Sequence, residues 1–479
     1  MSRSLAIAWF RQDLRIHDNP ALAAAAEHDA LLPIYILDDE NAGDWAMGGA
    51  SRTWLHQSLA ALNRSLGGRL QLFRGDAHAL IHRLIDEYDI DAVYWNRCYE
   101  PWRVQRDTQI RQDLIDAGIT THSYNASLLW EPWEIAKQDG TPYRVFTPFY
   151  QKGCLRAPPP RQPQPAPVDP RWYSDVIEFA QPLDSLGLLP ADLDWHEAVS
   201  ADWRIGEDAA NDRLEQFCED RLQDYRRARD FPAIDATSRI SPHLHFGEIS
   251  PHQLWQRIEH LASRGDTDGA THFLRELGWR EFSFHLLYHF PGLPEDNFNA
   301  RFDRFEWRAD PAALALWQRG QTGFPIVDAG MRELWQTGYM HNRVRMIVAS
   351  FLIKNLLIHW RNGADWFWDC LFDADLANNS ASWQWCAGSG ADAAPYFRIF
   401  NPVLQSEKFD PDGEYLLRYC PELGGLPARL RHKPWEASLA QLGAAGIRLG
   451  VDYPQPMVDL KVTRERALAR YKDLTRGID

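Results

Sequence analysis

Residues 360–402 read WRNGADWFWDCLFDADLANNSASWQWCAGSGADAAPYFRIFNP, a span that holds five tryptophans. An acidic pair, Asp373 and Asp375, is followed by the adjacent amides of Asn378 and Asn379, which are typical of caps and turns. The small residues at 388–391 allow a close approach of the chain to another surface. Core packing is the ordinary role of a single tryptophan. Packing does not account for the polar residues beside these tryptophans, so the span predicts a cavity for a flat aromatic ligand.

Composition sets limits around this span. The chain has 479 residues, enough for two or three domains. We expect neither a signal peptide nor a membrane span, because no apolar run is long enough. The six cysteines form no CxxC pair, which argues for a reducing cytosol and against a zinc site or an iron–sulfur cluster. A net charge of −15 argues against nucleic-acid binding unless a basic cleft lies within the acidic whole.

The first part of the chain alternates short apolar runs with helical patterns. We predict strands over 4–8, 31–37, 70–73 and 92–95, and helices over 21–26, 52–66, 77–88 and 105–117. Such alternation predicts βαβ units and a doubly wound parallel sheet. No GxGxxG follows the first strand, so the standard dinucleotide motif is missing.

The remainder of the chain has a different character. Residues 154–172 are rich in proline and predict an extended linker. Beyond about residue 201 the pattern is helical throughout, so the fold class is α/β followed by all-α. Helices are expected over 206–217, 250–264, 270–289, 312–318, 329–335 and 341–360.

Two further clusters carry chemistry. Residues 235–242, DATSRISP, place hydroxyls and an arginine at a predicted helix start, which suits a phosphate, although the motif alone favours simple capping. Glu276, Trp279 and Arg280 share a helix face through i, i+3, i+4 spacing. They suit stacking and hydrogen bonding to a nucleobase, or else a surface Glu276–Arg280 ion pair beside a core tryptophan.

The DADLANNSASWQW…DAAPYFRIFNP pattern resembles the flavin-binding core of the DNA photolyase/cryptochrome family. Matching stretches run from WFRQDLR at 9–15 to EKFD at 407–410, so the resemblance covers essentially the whole chain. It implies an antenna domain over 1–130, a linker over 131–200, and a helical FAD-binding catalytic domain over 201–479. It also implies the light-driven repair of DNA by electron transfer from excited, reduced FAD, with the lesion flipped out of the duplex.

The resemblance assigns roles to individual residues. The FAD ligands it implies are Tyr225, Thr237, Ser238, Arg239, Ile240, Ser241, Arg280, Arg345, Asp373, Ala374, Asp375 and Asn379. The residues implied at the lesion or in catalysis are Glu276, Trp279, Asn342, Met346, Asn379 and Trp385. Electron transfer to the flavin is implied through Trp383, Trp360 and Trp307, in that order from the flavin outward. Contacts with DNA are implied for Glu276, Arg343, Arg398, Gln405 and Lys408.

Three positions point to a subfamily. Enzymes that repair (6-4) photoproducts carry histidines where this chain has Asn342 and Met346, and neither residue can transfer a proton as histidine does. Asn379 matches the residue opposite flavin N5, which is asparagine in photolyases, aspartate in plant cryptochromes and cysteine in animal ones. The chain therefore resembles a bacterial photolyase, of class I or class III, for cyclobutane pyrimidine dimers (CPDs).

Other predictions stay open at this stage. The Asn-Glu pair that holds folate in some relatives is replaced in Tyr99-Glu100-Pro101-Trp102-Arg103. The antenna is therefore methenyltetrahydrofolate bound differently, 8-hydroxy-deazaflavin, or absent. A cryptochrome photoreceptor, a DASH-type enzyme for single-stranded DNA and a non-catalytic flavoprotein are the alternatives, although the long cryptochrome tail is not evident after the predicted helix at 460–471. We expect a cytoplasmic monomer that acts on UV-damaged DNA without an obligate protein partner or a membrane.

Overall fold

The computed structural model describes residues 4–190, 195–265, 267–393 and 398–476. Contacts divide the chain into two compact units. The first unit comprises Met1–Gln223, Ser238–Pro291 and Phe372–Ala377. The second comprises Asp224–Thr237, Gly292–Leu371 and Asn378–Asp479. Residues 394–397 of the quoted span lie outside the described residues.

A parallel sheet of five strands forms the centre of the N-terminal region. The strands are β1 (Leu5–Phe10), β2 (Ala30–Leu37), β3 (Gln71–Arg74), β4 (Ala92–Asn96) and β5 (Thr120–Tyr124), in the order β3-β2-β1-β4-β5. Every residue of β1 is buried, as its central place and its apolar sequence require. The four predicted strands are confirmed. The fifth was missed because β5, TTHSY, is a polar edge strand without an apolar run.

Helices connect consecutive strands of this sheet, and local signals explain where they begin. Asn19 accepts a hydrogen bond from the backbone N–H of Leu22 and caps the first helix. Asp76 caps the third helix in the same way, and Pro101 opens the fourth. The main connecting helices are Pro20–Ala25, Gly49–Ser65, Ala77–Tyr88 and Pro101–Asp116.

The proline-rich segment follows the sheet and is extended, as predicted. Residues 157–171 contain neither helix nor strand. The segment is nevertheless bound to its own unit: Leu31 N donates to the carbonyl of Arg171 at 2.8 Å, and Asp18 N donates to the carbonyl of Gln164 at 2.8 Å. The predicted domain boundaries at 130 and 200 stay predictions.

The rest of the chain is helical, which confirms the predicted fold class. The further helices of the first unit include Glu207–Asp220, Ser241–His245, Pro251–Ser263 and Thr267–His289. Those that lie wholly or mainly in the second include Tyr225–Ala228, Pro311–Gln318, Pro325–Thr337, Asn342–Ser350, Trp360–Cys370, Leu376–Ala387, Pro402–Phe409, Glu414–Tyr419, Ala428–Arg431, Leu439–Ala445 and Leu460–Arg476. Among the described residues, none of the helices combines the length and apolar character needed to cross a bilayer.

Two local predictions were wrong. The single helix expected over 341–360 is Asn342–Ser350, followed by a π-helical turn at Phe351–Asn355 and then a break. Leu357 within the break adopts a left-handed φ of 58°, which a helix cannot contain. Asn378 and Asn379 were expected in a turn or cap, but they lie inside the helix Leu376–Ala387.

Candidate functional site

A hydrogen bond in the first unit joins two predicted cofactor segments. Ser241 opens the short helix Ser241–His245, and its hydroxyl donates to Asp373 Oδ2 at 2.6 Å across 132 positions of sequence. Asp373 is half-buried in the loop before Leu376–Ala387, where Ala374 and Asp375 are buried. We call this pair the Ser241–Asp373 junction. It sets a hydroxyl and a carboxylate together in a partly buried place.

The chain entering this helix is firmly held. Arg239 adopts a left-handed φ of 49°, and its guanidinium lies 4.3 Å from the ring centroid of Trp203. The carbonyl of Ser238 accepts from Arg213 Nε at 3.0 Å. Ile240 is buried beside them. Residues 238–241 therefore turn sharply and present two hydroxyls and a cation within a few residues.

Thr237 and Tyr225, also predicted to bind the cofactor, belong to the second unit. Tyr225 is buried at the start of Tyr225–Ala228, and the guanidinium of Arg229 lies 5.1 Å from its ring centroid. Arg345 donates through Nε to the carbonyl of Met340 at 2.7 Å. These contacts fix the side chains of Tyr225 and Arg345 within their own unit.

Asn379 is held by one end of its amide. Its Nδ2 donates to the carbonyl of Ala364 at 3.0 Å, so the two helices Trp360–Cys370 and Leu376–Ala387 are joined here. Because the nitrogen is the end that donates, the oxygen Oδ1 is the end that can accept from a ligand. An ionised aspartate at this position would have no proton to give to Ala364.

Three tryptophans of the second unit form what we call the tryptophan array: Trp383, Trp360 and Trp307. Trp383 is 3 % exposed and packs edge-on against Phe367 and Trp317, at centroid distances of 4.9 and 6.2 Å. A Cβ on Gly363 would lie 2.1 Å from the Trp383 ring, so the glycine makes room for it. Trp360 begins the helix that carries Gly363, which brings Trp383 against the same helix one turn later.

A histidine lies between Trp360 and Trp307 and contacts both rings. His359 contacts Trp360 at a centroid distance of 5.5 Å and Trp307 at 5.1 Å. Trp360 is buried and donates through Nε1 to Asn297 Oδ1 at 3.0 Å, whereas Trp307 is half-buried. Trp307, which is predicted to be the outermost member, is therefore more exposed than Trp383 and Trp360.

The helix Thr267–His289 of the first unit carries Glu276, Trp279 and Arg280. Trp279 stacks on Phe146 with the centroids 3.6 Å apart and the planes at 10°. The indole is half-buried, so the stack makes a rigid platform with part of the indole exposed. A Cβ on Gly278 would lie 2.5 Å from the ring of Tyr150, which shows how closely this helix packs here.

Arg280 forms an ion pair with Glu281 at 3.1 Å. Glu281 also accepts from the backbone N–H of Leu129 at 2.8 Å. Burial raises the pKa of Glu281 to about 7, against the opposing effects of Arg280 and the backbone donors. The sequence reasoning missed Glu281, although an acid on the apolar side of a long helix is a usable signal.

Asn342, Arg343 and Met346 lie in the first two turns of Asn342–Ser350, which His341 caps through Nδ1. Arg343 pairs with Asp230 at 2.8 Å, and its Nη1 lies 3.7 Å from Met346 Sδ. Asn342 is exposed and Met346 half-buried. The predicted DNA-contacting cation therefore already has a carboxylate partner.

Trp385 and Arg398 line a small cavity of the second unit, together with Ser350, Lys354, Cys386, Gly388 and Phe400. The ammonium of Lys354 is buried and donates to the carbonyl of Arg398. Burial lowers the pKa of Lys354 to about 8. The sequence analysis missed Lys354, the one cation in an apolar run from Ile347 to Ile358. Arg398 and Lys408 are exposed, and Gln405 is half-buried on the helix Pro402–Phe409.

Comparison with known proteins agrees with this fold. Residues 273–473 match the family described as the FAD binding domain of DNA photolyase, and residues 6–168 match the one described as DNA photolyase. The chain belongs to the DNA photolyase/cryptochrome family.

Within that family the chain is similar both to bacterial photo-lyases and to plant cryptochromes. It is 50% identical over 471 residues to a deoxyribodipyrimidine photo-lyase of Agrobacterium fabrum, covering 97% of each chain. It superposes on the crystal structure of a bacterial class III photolyase from Agrobacterium tumefaciens with a TM-score of 0.95 and 48% identity, covering 99% and 98% of the two chains. Cryptochrome-2 of Arabidopsis thaliana is 39% identical over 493 residues, covering 98% of this chain and 79% of the relative.

FAD is the cofactor that this family binds, and the residues described above fit it. Its diphosphate needs hydroxyl, N–H or cationic donors, and Ser238 and Arg239 offer a hydroxyl and a guanidinium on one sharply turned segment. The reduced flavin carries an N–H that needs an acceptor, which the Oδ1 of Asn379 supplies. Ser238 and Arg239 therefore suit the diphosphate, and Asn379 suits the flavin ring.

Proposed function

We propose that this protein is a deoxyribodipyrimidine photo-lyase that uses light and FAD to repair CPDs in DNA. The observation that carries the proposal is the hydrogen bond from Asn379 to the carbonyl of Ala364. It requires an amide, the group that the family resemblance associates with photolyases, and an ionised aspartate would lose it. The high identity to curated photo-lyases supports the same conclusion over the cryptochrome alternative.

FAD binds, in this proposal, through the residues that the family resemblance implies. When bound and reduced, it supplies the light-driven electron that opens the cyclobutane ring. Asp373 orients the hydroxyl of Ser241, and Arg239 brings positive charge to the diphosphate. The further contacts in the proposed FAD set are Tyr225, Thr237, Ser238, Ile240, Arg280, Arg345, Ala374, Asp375 and Asn379.

The flipped dimer is recognised through stacking and polar contacts. Trp279, backed by Phe146, offers a rigid aromatic platform. Glu276 accepts from the base edges, and Asn342, Met346 and Trp385 complete the contacts. Neither Asn342 nor Met346 titrates, which suits ring opening without proton transfer at these positions.

Contacts with the DNA backbone come from Arg343, Arg398, Gln405 and Lys408, and Glu276 adds a polar contact near the lesion. Exposed cations on an otherwise acidic protein give a local attraction for phosphate. The tryptophan array re-reduces an oxidised flavin, with Trp307 as the outermost member. We further propose that the protein acts as a monomer in the cytoplasm without an obligate protein partner. A second chromophore, methenyltetrahydrofolate or 8-hydroxy-deazaflavin, stays a prediction.

The test is repair of a thymine dimer by the purified, photoreduced protein. We expect repair of duplex DNA under blue light and none in darkness. Repair confined to single-stranded DNA would favour the DASH alternative. No repair by protein that retains FAD would refute the proposal in favour of a photoreceptor.

A variant of Asn379 tests whether its hydrogen bond to Ala364 matters for repair. Asn379→Asp removes the donor to Ala364 and places a negative charge beside the flavin. We expect the redox potentials of the bound flavin to shift and the yield of repair to fall. Unchanged flavin potentials in Asn379→Asp would show that this residue is not at flavin N5.

A further inference from the structure

A group of metal-ligating side chains lies in the sheet region, separate in sequence from every residue assigned above. His78 and His82 are one turn apart on the helix Ala77–Tyr88, so both imidazoles project from the same face. Their ring centroids are 4.5 Å apart, with the planes at 47°. A His-x-x-x-His pair on a helix has the spacing that lets two imidazoles share one ion.

A third ligand comes from the next helix, Pro101–Asp116. Asp113 Oδ2 lies 2.6 Å from His78 Nε2, although the two residues are 35 positions apart in sequence. Gln109 donates through Nε2 to the other oxygen, Asp113 Oδ1, at 2.9 Å. The carboxylate is therefore oriented by an amide on one oxygen and offers its second oxygen to the histidines, as outer hydrogen bonds orient ligands in metal sites.

The three groups converge on one point. One nitrogen of each imidazole and one oxygen of Asp113 all lie within 4.8 Å of one another, and this is the one such group among the residues that the structure describes. His82 Nε2 is buried and has no hydrogen-bond partner among those residues. A buried ring nitrogen without a partner is costly, and coordination would remove that cost.

We propose that His78, His82 and Asp113 bind a divalent transition-metal ion, with Zn²⁺ as the best match. Two imidazoles and one carboxylate are a common zinc ligand set, and a water would take the fourth position. Tetrahedral coordination at about 2.0–2.1 Å separates ligand atoms by about 3.3 Å. The metal would replace the proton shared by His78 and Asp113, opening that contact and drawing His82 in.

The side chains have the freedom and the charge for this rearrangement. The side chains of His78 and Asp113 are 37% and 32% exposed, so small rotations are not blocked by packing. Asp113 supplies a carboxylate charge to the ion. Asp76, which caps the same helix, adds a second negative charge close to His78. The ion would link the two helices Ala77–Tyr88 and Pro101–Asp116.

A metal-free alternative explains part of the arrangement of His78, His82 and Asp113. His78 and Asp113 can form an ordinary interhelical hydrogen bond without any metal, and exposed pairs of this kind contribute little. That alternative leaves the buried nitrogen of His82 unexplained and predicts no dependence on metals. The two interpretations are therefore separable by experiment.

The experiment is calorimetric titration of the untagged, FAD-containing protein with Zn²⁺ after treatment with a chelator. We expect one ion per chain, with proton release that makes the observed heat depend on the ionisation enthalpy of the buffer. His82→Ala should weaken binding by more than about tenfold, since loss of even an outer hydrogen-bond partner costs about 10–100-fold. His260→Ala is the matched control, because His260 is exposed on another helix of the same unit.

A second variant separates ligation from folding. Asp113→Asn keeps a hydrogen-bonding side chain of the same shape but removes the charged ligand, so it should bind Zn²⁺ more weakly while its thermal unfolding without metal stays close to wild type. Zinc should raise the unfolding temperature of the wild type and of His260→Ala only. Absence of stoichiometric zinc binding in the wild type, or equal affinity in His82→Ala, would overturn the proposal.

Discussion

The Ser241–Asp373 junction and the tryptophan array are held together by different forces. The junction consists of two polar side chains, one in a loop and one at the start of a short helix, fixed by a hydrogen bond of 2.6 Å. The array consists of large rings fixed by close packing, with Trp383 only 3 % exposed. Trp383 and Trp360 lie on helices, and Trp307 lies in the segment before Pro311–Gln318. The junction should therefore be sensitive to the loss of a single polar atom, whereas the array should be sensitive to volume.

The largest effect is expected at the junction. Asp373→Ala removes the acceptor of the Ser241 hydroxyl, and hydrogen bonds to charged groups contribute about 1.5–3 kcal/mol. We expect the affinity for FAD to fall by about 10–100-fold, measured by fluorescence titration of protein from which FAD has been removed. Asp373→Asn keeps an acceptor oxygen and should lose less. Wild-type affinity in both Asp373→Ala and Ser241→Ala would show that the junction does not hold the cofactor.

The array offers the corresponding test of volume. Gly363→Ala would place a Cβ 2.1 Å from the Trp383 ring, and overpacking of this kind costs about 1–3 kcal/mol. We expect lower thermal stability and slower photoreduction, while chemically reduced protein still repairs DNA. Gly443→Ala is the control, because an added Cβ there meets nothing within 4 Å. Photoreduction at the wild-type rate in Gly363→Ala would show that the position of Trp383 is not critical.

A titratable cap lies at the start of the array helix. His359 Nδ1 accepts from Arg361 N at 3.2 Å, which requires a neutral ring, and burial lowers the pKa of His359 to about 4. The folded pKa is below the unfolded value of 6.5, so this contribution to stability is present above pH 6.5 and is lost as the pH falls towards 4. His359→Asn keeps a capping side chain that does not titrate. The free energy of unfolding of this variant should therefore depend less on pH between pH 4 and 6.5.

His341 provides the matched comparison for this cap. It caps Asn342–Ser350 in the same way, and burial lowers its pKa to about 4 as well. His341→Asn should flatten the pH dependence of the unfolding free energy to the same degree. It should leave photoreduction unchanged, because of the two capping histidines it is His359 that contacts Trp307 and Trp360. Denaturant unfolding between pH 4 and 7 measures both variants. A pH dependence as steep as that of the wild type in both would exclude the caps as its source.

The two regions also differ in what the sequence could predict. Strands β1 to β4 were predicted to within a few residues, because buried parallel strands are continuous apolar runs with clear ends. The π-helical turn at Phe351–Asn355 and the break after it were not, because residues 347–358 are mostly apolar and no periodicity marks the turn. The left-handed Leu357 shows that tertiary packing overrides local preference there.

The candidate site was also predicted only in part from the sequence. Family resemblance assigned the functional side chains, but their partners came from distant parts of the chain. Nothing near Asn379 in sequence indicates that the carbonyl of Ala364 holds its amide, and nothing near Trp279 indicates Phe146. Such pairs are set by the packing of helices, which periodicity alone does not determine. The placement of Asn378 and Asn379 in a turn was wrong for the related reason that the helix continues through them.

The smallest expected effect concerns an ion pair that is more exposed than either the junction or the array. Arg343 and Asp230 are 2.8 Å apart, with side chains 20% and 38% exposed, so the pair contributes about 0–1 kcal/mol to stability. Asp230→Asn removes one negative charge and frees Arg343 for a phosphate. We expect affinity for damaged DNA to rise a few-fold and the dependence of binding on salt to steepen by about one released counterion. Glu215→Gln, which breaks the exposed pair with Arg257, makes the same change in net charge elsewhere. If both variants bind DNA with the same gain, the effect comes from total charge, and Arg343 does not contact the backbone.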